Sequence, residues 1–242
     1  MTPDLQLEIH KWDGFAADRA VPNIPGVVRV WHWPLDVSAL EVADLGKVLS
    51  PDELERAERY RFERHRNEFI STRAVLRMVL ASYTAQSAGS LSFDYSAQGK
   101  PALKNGPPDL RFNVSHTEGL AVLAVVRDRE IGVDAEKIRP QPDAQKLAKR
   151  FFSVREQRFL EKLSGDELQR AFFRCWTRKE AYIKAKGEGL SLPLHAFDVS
   201  LEEDQPAALV GTRPDPTEAG RWTLCDLSVG QGYAAALAVA IR

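Results

Sequence analysis

The stretch KEAYIKAKGEGLSLPLHAFDV (residues 179–199) predicts a helix ending at Gly187, then a loop, then a short strand, because a glycine commonly follows the last helical turn. Residues 73–95, RAVLRMVLASYTAQSAGSLSFDY, follow the same order. Each half of the chain then ends in an apolar strand rich in small residues, Leu120–Val126 and Tyr233–Ile241. This repeated order predicts an α+β fold of two similar α/β halves related by a pseudo-twofold axis.

Patterning and turn residues predict the other elements. Val27–Trp33 alternates as a strand, and Ser50-Pro51-Asp52-Glu53 begins a helix expected to continue to about Tyr83, because these residues form a capping box with proline at the first helical position. Ser153-Val154-Arg155-Glu156 is a second capping box. Apolar runs predict further strands at Leu91–Tyr95, Leu110–Val114, Ile131–Ala135, Phe197–Leu201 and Trp222–Leu227.

We place the two halves at residues 1–127 and 128–242, with the active site expected between them. Within the second half, the polar and proline-rich stretch 202–221 is expected to be a loop or a wide hairpin.

Composition excludes several classes of protein. The 242 residues carry a net charge of −1 with 44% apolar and 28% charged residues, which is ordinary for a globular protein and does not suggest a general nucleic-acid binder. Two cysteines, Cys175 and Cys225, suggest buried thiols rather than a disulfide framework or a zinc site. The residues from Met1 to Trp12 lack the apolar core of a signal peptide, and the longest apolar runs are too short to span a bilayer. We therefore expect a cytoplasmic protein without a membrane partner.

Two acidic residues follow one another on one face of a predicted strand. In Ile131–Glu136, alternation places Asp134 and Glu136 on the same side, with Cα atoms ~6.6 Å apart at about 3.3 Å per residue. Two carboxylates so placed suit a hard cation such as Mg²⁺. The alternative is a pair of solvated acids at the end of a strand.

A carboxylate also lies beside an aromatic stripe on the second long helix. Phe172, Trp176 and Ile183 share one face, and Glu180 lies at its edge with Lys184 four residues later. Partial burial beside aromatic rings would raise the pKa of Glu180 and suit a general base. The alternative is an ordinary Glu–Lys pair on the helix surface.

Candidate phosphate ligands lie in two kinds of region, a polar turn and a set of basic residues. Ser115 and His116 lie where a strand runs into a polar turn, and their adjacency disfavours a Ser–His nucleophile pair, so they are candidate phosphate ligands or parts of an ordinary turn. Lys100 lies in the stiff turn Gly99-Lys100-Pro101. Between residues 56 and 77 the chain has three glutamates and seven arginines, namely Arg56, Arg59, Arg61, Arg64, Arg66, Arg73 and Arg77. This excess of arginine favours phosphate recognition, and the alternative is a solvated helix face.

Together these motifs resemble the 4′-phosphopantetheinyl transferase superfamily in its larger, two-half form (the surfactin-synthetase-activating type). The resemblance extends from about Ser50 to Leu201 in the order of that family. Its motifs are G-K-P (Gly99–Pro101), F-N-V-S-H (Phe112–His116), I-G-V-D-x-E (Ile131–Glu136), R-F-F-S-x-x-E (Arg150–Glu156), W-T-x-K-E-A-Y-x-K (Trp176–Lys184) and G-x-G-L-S-L-P-L (Gly187–Leu194).

The resemblance implies an activity and a role for each matching residue. The family transfers the phosphopantetheine arm of coenzyme A to a serine of an apo acyl or peptidyl carrier protein and releases 3′,5′-ADP. Asp134, Glu136 and Glu180 would bind Mg²⁺, which also holds the pyrophosphate of coenzyme A. Glu180, directly or through water, would deprotonate the serine, and Lys184 would contact the pyrophosphate and stabilise the leaving group. Coenzyme A would also contact a set of residues in the first half: Arg59, Arg64, Lys100, Pro101, Ser115 and His116.

Further expectations concern the partner and the assembly. We expect a monomer, because one chain would supply both halves of the site, and a carrier-docking surface that is apolar with a basic rim. One alternative is a different metal-dependent phosphoryl transferase, although the sequence has no Walker motif. The other is a non-catalytic module that binds coenzyme A or a carrier protein, for which the full set Asp134, Glu136, Glu180 and Lys184 would be unnecessary.

Overall fold

The structure, a computed structural model, describes residues 5–12, 14, 24–213 and 215–241, so part of the segment examined for a signal peptide lies outside the described residues. The strands are β1 (Gln6–Lys11), β2 (Val27–Pro34), β3 (Phe93–Tyr95), β4 (Pro101–Leu103), β5 (Leu110–Thr117), β6 (Leu120–Arg127), β7 (Ile131–Lys137), β8 (Phe197–Val199), β9 (Leu209–Thr212), β10 (Trp222–Asp226) and β11 (Tyr233–Ala240). The helices are α1 (Ala39–Gly46), α2 (Pro51–Glu58), α3 (Glu63–Ala81), α4 (Ala144–Phe151), α5 (Val154–Leu160) and α6 (Gly165–Lys186).

The same topology occurs twice along the chain. The first sheet has the order β1-β2-β6-β5 and the second the order β10-β11-β7. In each half one strand, β2 or β7, is followed by helices, a short hairpin and an antiparallel strand pair. This strand pairs antiparallel with the last strand of its own half. The predicted α+β fold of two similar halves is confirmed.

The fold has four layers, namely α3, the first sheet, the second sheet and α6, and the alternation of side chains along the strands produces them. On β6, Ala121, Leu123 and Val125 pack toward α3, whereas Leu120, Val122 and Ala124 pack against β7 and β11 of the other sheet. The outer face of β11 packs on α6. The two sheets therefore lie face to face between α3 and α6, and β5 and β7 lie at neighbouring sheet edges.

A buried ion pair joins a capping box to the long helix in the second half. Ser153 and Glu156 form the predicted capping box at the start of α5. Glu156 also accepts a hydrogen bond from the backbone N–H of Val199 at 2.8 Å and pairs with Lys179 Nζ at 2.8 Å. The Lys179 ammonium donates in addition to the carbonyl oxygens of Leu194 and Phe197.

The first half repeats this arrangement. Glu53, in the capping box that begins α2, accepts a hydrogen bond from Arg77 Nε on α3 at 2.6 Å. The Arg77 guanidinium donates to the carbonyl oxygens of Ala88 and Leu91, which precede the first short hairpin. The two halves thus share a buried charge network as well as a strand order.

The prediction of one helix from Ser50 to about Tyr83 is wrong. The chain forms two helices, α2 and α3, separated by residues 59–62, and the backbone of Phe62 is extended (φ −104°, ψ 130°). Residues 53 and 77 would lie about 36 Å apart in a continuous helix at 1.5 Å per residue. The buried Glu53–Arg77 ion pair requires the chain to fold back, and this tertiary contact outweighs local helix propensity.

Other elements differ in smaller ways from the sequence-based expectations. Strand β1, helix α1 and strand β4 were not predicted, although Ser38 and Glu41 form a capping box at α1. Within the stretch 202–221, only strand β9 and a 3₁₀ helix at Pro216–Arg221 are regular elements among the described residues, and β9 pairs with β8, which precedes the stretch. No helix within the described ranges is long and apolar enough to cross a membrane.

Candidate active site

A glycine allows helix α6 to lie directly on strand β7. A Cβ atom built on Gly132 would stand 2.1 Å from the carbonyl oxygen of Ala181 and 2.3 Å from the amide nitrogen of Ala185. Both atoms belong to the helix backbone, so this position has no room for a side chain. The close approach brings the side chains of α6 to those that follow Gly132 on the same face of β7, namely Asp134 and Glu136.

Asp134 is the centre of a hydrogen-bond network between β5, β7 and α6. Its Oδ1 atom accepts hydrogen bonds from Lys184 Nζ at 2.6 Å and from Ser115 Oγ at 2.9 Å. Lys184 Nζ also donates to Ser115 Oγ at 3.0 Å. The second carboxylate oxygen of Asp134, Oδ2, is buried and has no hydrogen-bond partner among the described residues. Because a buried carboxylate oxygen without a partner is costly, Oδ2 is a candidate ligand atom.

Glu136 and Glu180 complete the acidic part of the site. Burial raises the pKa of both carboxyl groups, and the negative charge of Asp134 raises each pKa further. Glu136 adds to the effect on Glu180, while the charge of Lys184 lowers both pKa values. The three carboxylates predicted to bind a metal therefore act electrostatically on one another, although Glu180 lies on a different element.

The metal ligation predicted for these three residues stays a prediction. Over the described part of the chain, no three His, Cys, Asp or Glu side chains converge in an arrangement that could hold a metal ion. Asp134 Oδ1 is instead paired with the Lys184 ammonium.

Three side chains of β5 join the two sheets beside this network. Asn113 Oδ1, Ser115 Oγ and Thr117 Oγ1 accept hydrogen bonds from the backbone N–H groups of residues 133, 135 and 137 at 2.8, 3.3 and 3.2 Å. Thr117 Oγ1 also donates to Glu136 Oε2 at 3.3 Å. Alternate β5 side chains thus hold the edge of β7 in place of a backbone ladder. The period-two spacing of Asn113, Ser115 and Thr117 was available in the sequence, but only Ser115 was selected from it.

A cleft of about 400 Å³ opens beside the network, with residues of both halves in its walls. The sequence-predicted residues in its lining are Lys100, Pro101, His116, Glu180 and Lys184. Ser115, by contrast, is buried beneath the cleft and bonded to Asp134, so a direct phosphate contact for it stays a prediction.

Lys100 reaches across from the first half to the end of α6. Its Nζ atom donates to the carbonyl oxygens of Lys184 at 2.8 Å and Ile131 at 3.0 Å, and the Ala185 oxygen lies at 3.4 Å. The last carbonyl groups of a helix lack partners within it and carry partial negative charge, so an ammonium suits them. Burial lowers the pKa of Lys100. The predicted phosphate ligand therefore joins the two halves, and its contact with coenzyme A is untested.

The basic cluster reaches the cleft through Arg56 and Arg73, which are among the seven candidate arginines but not among the two predicted to contact coenzyme A. Arg56 lines the cleft, and its guanidinium lies 5.3 Å from the centre of the Phe69 ring. Arg59 is not among the lining residues and pairs with Glu55 on the surface. An excess of arginine was visible in the sequence, but the direction of each side chain depends on how α2 and α3 pack.

The remaining two predicted phosphate ligands are His116, which lines the cleft, and Arg64, which does not. His116 is exposed to solvent on one side, yet nearby protein displaces part of the water around its ring. This desolvation, with a smaller effect of the Lys184 charge, lowers the pKa of His116. Arg64 lines a neighbouring pocket instead and pairs with Glu68 at 3.1 Å.

Substitution of Gly132 tests the close packing of α6 on β7. Gly132→Ala is expected to lower the free energy of unfolding by roughly 3 kcal/mol, the upper end for overpacking, because backbone atoms rather than a flexible side chain must move. Urea denaturation measures the change. Gly46→Ala is the control, since a Cβ there meets no atom within 4 Å, and it should leave stability equal or slightly higher. Equal stability of the two variants would contradict the packing argument.

The raised pKa values predict how stability depends on pH. A carboxyl whose pKa is raised by folding from the ordinary value of 4.5 stabilises the fold at low pH, and this contribution is lost as pH rises through the folded-state pKa. With metal chelated, Glu180→Gln should therefore gain stability relative to wild type between about pH 4.5 and pH 8. Urea midpoints at the two pH values measure it, and a difference that does not change with pH would contradict the electrostatic account.

Models of known protein families match segments in both halves of the chain. The model of the 4′-phosphopantetheinyl transferase superfamily matches residues 130–238, and that of the 4′-phosphopantetheinyl transferase N-terminal region matches residues 34–127. The 4′-phosphopantetheinyl transferase HetI of Nostoc sp. is 40% identical over 215 residues, covering 88% of this chain and 87% of its own. The 4′-phosphopantetheinyl transferase Sfp of Bacillus subtilis is 33% identical over 156 residues, 64% of this chain and 68% of its own.

Proposed function

The chain belongs to the 4′-phosphopantetheinyl transferase superfamily, and we propose that it transfers the phosphopantetheine arm of coenzyme A to a serine of an apo acyl or peptidyl carrier protein, with Mg²⁺, and releases 3′,5′-ADP. The observation that carries this proposal is the network around Asp134, in which Lys184 and Ser115 share one carboxylate oxygen beside a cleft lined by Glu180.

The donor set suits magnesium. Asp134, Glu136 and Glu180 supply only carboxylate oxygens, the ligands that hard divalent cations prefer. Burial, together with the repulsion between the carboxylates, raises the pKa of Glu136 and Glu180. This repulsion and the unpartnered Oδ2 atom of Asp134 both favour a cation among these three groups. When bound, Mg²⁺ would neutralise the carboxylates and polarise the phosphoryl group of coenzyme A.

Glu180 and Lys184 would have separate roles in the reaction, one as the proton acceptor and the other as the group that stabilises the leaving charge. Glu180, whose pKa is raised by burial, would accept the proton of the carrier serine hydroxyl. The serine Oγ then bonds to the β-phosphorus of coenzyme A, and the bond from this phosphorus to the bridging oxygen of the pyrophosphate breaks. Lys184, partly exposed toward the cleft, would stabilise the charge that develops on the departing 3′,5′-ADP.

Coenzyme A would lie in the cleft between the halves. Arg56 and His116, which both line the cleft, offer donors to its phosphates. Lys100 would act by holding the last turn of α6, and hence Lys184, in position. Because residues of both halves of one chain line the cleft, we propose that the enzyme acts as a monomer, and its free cysteines suit the cytoplasm.

Intact-mass spectrometry of an apo acyl carrier protein tests the proposal. The carrier, coenzyme A, Mg²⁺ and this protein should give a mass gain of one phosphopantetheine arm, with one 3′,5′-ADP released per carrier. The gain should disappear with EDTA and return with excess Mg²⁺. If several carriers of different pathways gained no mass and no 3′,5′-ADP formed, a non-catalytic binding module would be the better conclusion.

A further inference from the structure

A pocket of about 320 Å³ lies in the second half, between helix α5 and the end of strand β8. Its basic lining residues are Arg155, Arg158 and Lys162, and its apolar ones include Phe159 and Val199. Sites that bind small molecules usually have volumes of roughly 300–1,000 Å³. Among the described residues, none lines both this pocket and the active-site cleft. We call it the α5 pocket.

The two carboxylates in the lining of the α5 pocket are already engaged. The Glu156 carboxylate is buried and pairs with Lys179 Nζ at 2.8 Å, so this pair adds no net charge. Glu202 accepts a hydrogen bond from the backbone N–H of Leu201 at 3.1 Å and lies 3.8 Å from Arg155. The negative charge of the lining is therefore offset by neighbouring lysine and arginine.

Two cations of the α5 pocket have no counter-charge. Arg158 and Lys162 are exposed, and neither has a carboxylate within ion-pair distance among the residues that the structure describes. Arg155, Arg158 and Lys162 follow one another at intervals of three and four residues, which places them on one side of the helix and its last turn. Guanidinium groups bind phosphate through paired N–H donors, and an ammonium adds a point charge. Such a set of side chains suits a ligand that carries phosphate.

Apolar side chains form the rest of the wall. Val199 and Leu201 are 1% and 3% exposed, and Phe159 is half-buried. Inorganic phosphate would make no use of this apolar surface. The flat base of a nucleotide would, because nucleobases bury their faces against aromatic and apolar side chains. The combination of cations and apolar wall therefore favours a nucleotide over a simple anion.

The duplication of the fold places the α5 pocket where the first half has one wall of the cleft. Glu53 and Glu156 are equivalent residues of the two capping boxes. Three positions after each comes a lining residue, Arg56 in the cleft and Phe159 in the α5 pocket. The last residue of β3 lines the cleft, and the last residue of β8 lines the α5 pocket. Each half thus has a concave, basic surface between a capping-box helix and a short hairpin.

We propose that the α5 pocket is a second binding site, separate from the active site, for a nucleotide that carries phosphate groups. The phosphates would contact Arg158 and Lys162, with Arg155 beside them, and the base would lie against Phe159 and Val199. The choice of 3′,5′-ADP as the probe rests on the proposed function, which makes this nucleotide the product of the reaction. Binding in the α5 pocket does not itself require the reaction.

Calorimetric titration with 3′,5′-ADP counts the sites, and thermal unfolding checks that each variant is folded. Wild type should bind two molecules per chain, one in the cleft and one in the α5 pocket. Arg158→Glu combined with Lys162→Glu should retain the cleft site and weaken the α5 site by about tenfold or more, because charge-assisted hydrogen bonds are replaced by repulsion. Both side chains are exposed, so the fold should be preserved.

A matched control makes the same change of charge elsewhere in the second half. Lys146→Glu combined with Arg170→Glu alters two exposed residues that do not line the α5 pocket, and both sites should be retained. Initial rates of transfer should be equal in wild type and both double variants, since none of the four positions lines the cleft. Pyrophosphate, which lacks a base, should bind the α5 pocket more weakly than 3′,5′-ADP.

The outcomes separate the second site from the reaction. Wild-type binding of 3′,5′-ADP by the Arg158→Glu, Lys162→Glu double variant, or an equal loss in the control, would overturn the site. Pyrophosphate that bound the α5 pocket as tightly as 3′,5′-ADP would overturn the assignment to a nucleotide. If no carrier protein were modified but the titrations followed the expected pattern, the proposed function would fail and the second site would stand.

Discussion

Glu180→Gln is expected to reduce transfer to the carrier by about 10²–10⁴-fold, the usual effect of losing a general base. The substitution preserves the size of the side chain but removes the group that would accept the serine proton and one of the carboxylates that would hold Mg²⁺. Since Glu180 is partly buried and its charge is repelled by Asp134 and Glu136, the neutral variant should be as stable as wild type or more so. Intact-mass kinetics and thermal unfolding measure the two quantities.

A control on the same helix separates this effect from a general change in α6. Glu167 lies in the first turn of α6 and is exposed, so Glu167→Gln should leave transfer and stability as in wild type. Asp134→Ala should lose activity to a similar extent. Its Lys184 partner is 29% exposed and can turn to water, so the fold should survive. Near-normal turnover in Glu180→Gln or Asp134→Ala would remove that residue from the mechanism.

Lys179→Met is expected to lower the free energy of unfolding by about 3–5 kcal/mol, because it leaves a buried carboxylate without its counter-charge. Lys179 is fully buried, and its ammonium pairs with Glu156 and donates to the carbonyl oxygens of Leu194 and Phe197. Methionine fills a similar volume but satisfies none of these groups. Urea denaturation of the two proteins gives the difference.

Two further variants distinguish the loss of the ion pair from the loss of a lysine. Lys149→Met replaces an exposed lysine, 62% accessible at its side chain, and should change stability little. Adding Glu156→Gln to Lys179→Met removes the uncompensated charge, so the double variant should be more stable than the sum of the single effects predicts. Strict additivity would contradict a direct ion pair between the two side chains.

Much of the local structure could be predicted because it depends on residues a few positions apart. The capping boxes at Ser50 and Ser153 and the end of α6 at Gly187, which adopts φ +71°, are properties of single turns. The strand alternation that places Asp134 and Glu136 on one face is likewise local. The repeated order of elements extended this local information to the fold class.

The site, by contrast, depends on contacts between residues far apart in the chain. An excess of arginine in residues 56–77 does not indicate that Arg56 lines the cleft while Arg59 pairs with Glu55 outside its lining. The Lys100 motif does not indicate that its ammonium holds the end of α6, nor does the Ser115 motif indicate a buried serine bonded to Asp134. Each outcome depends on which faces of two distant elements pack together.

Many helix and strand positions, the shared face of the two acids and the duplication of the fold could therefore be predicted from the sequence, since periodicity and capping act over one or two turns. The break between α2 and α3, the approach of α6 to Gly132 and the meeting of Lys184 with Asp134 were settled when the layers packed. Burial makes such contacts strong because water no longer competes for the charged groups. No local sequence pattern indicates which distant residue will form the contact.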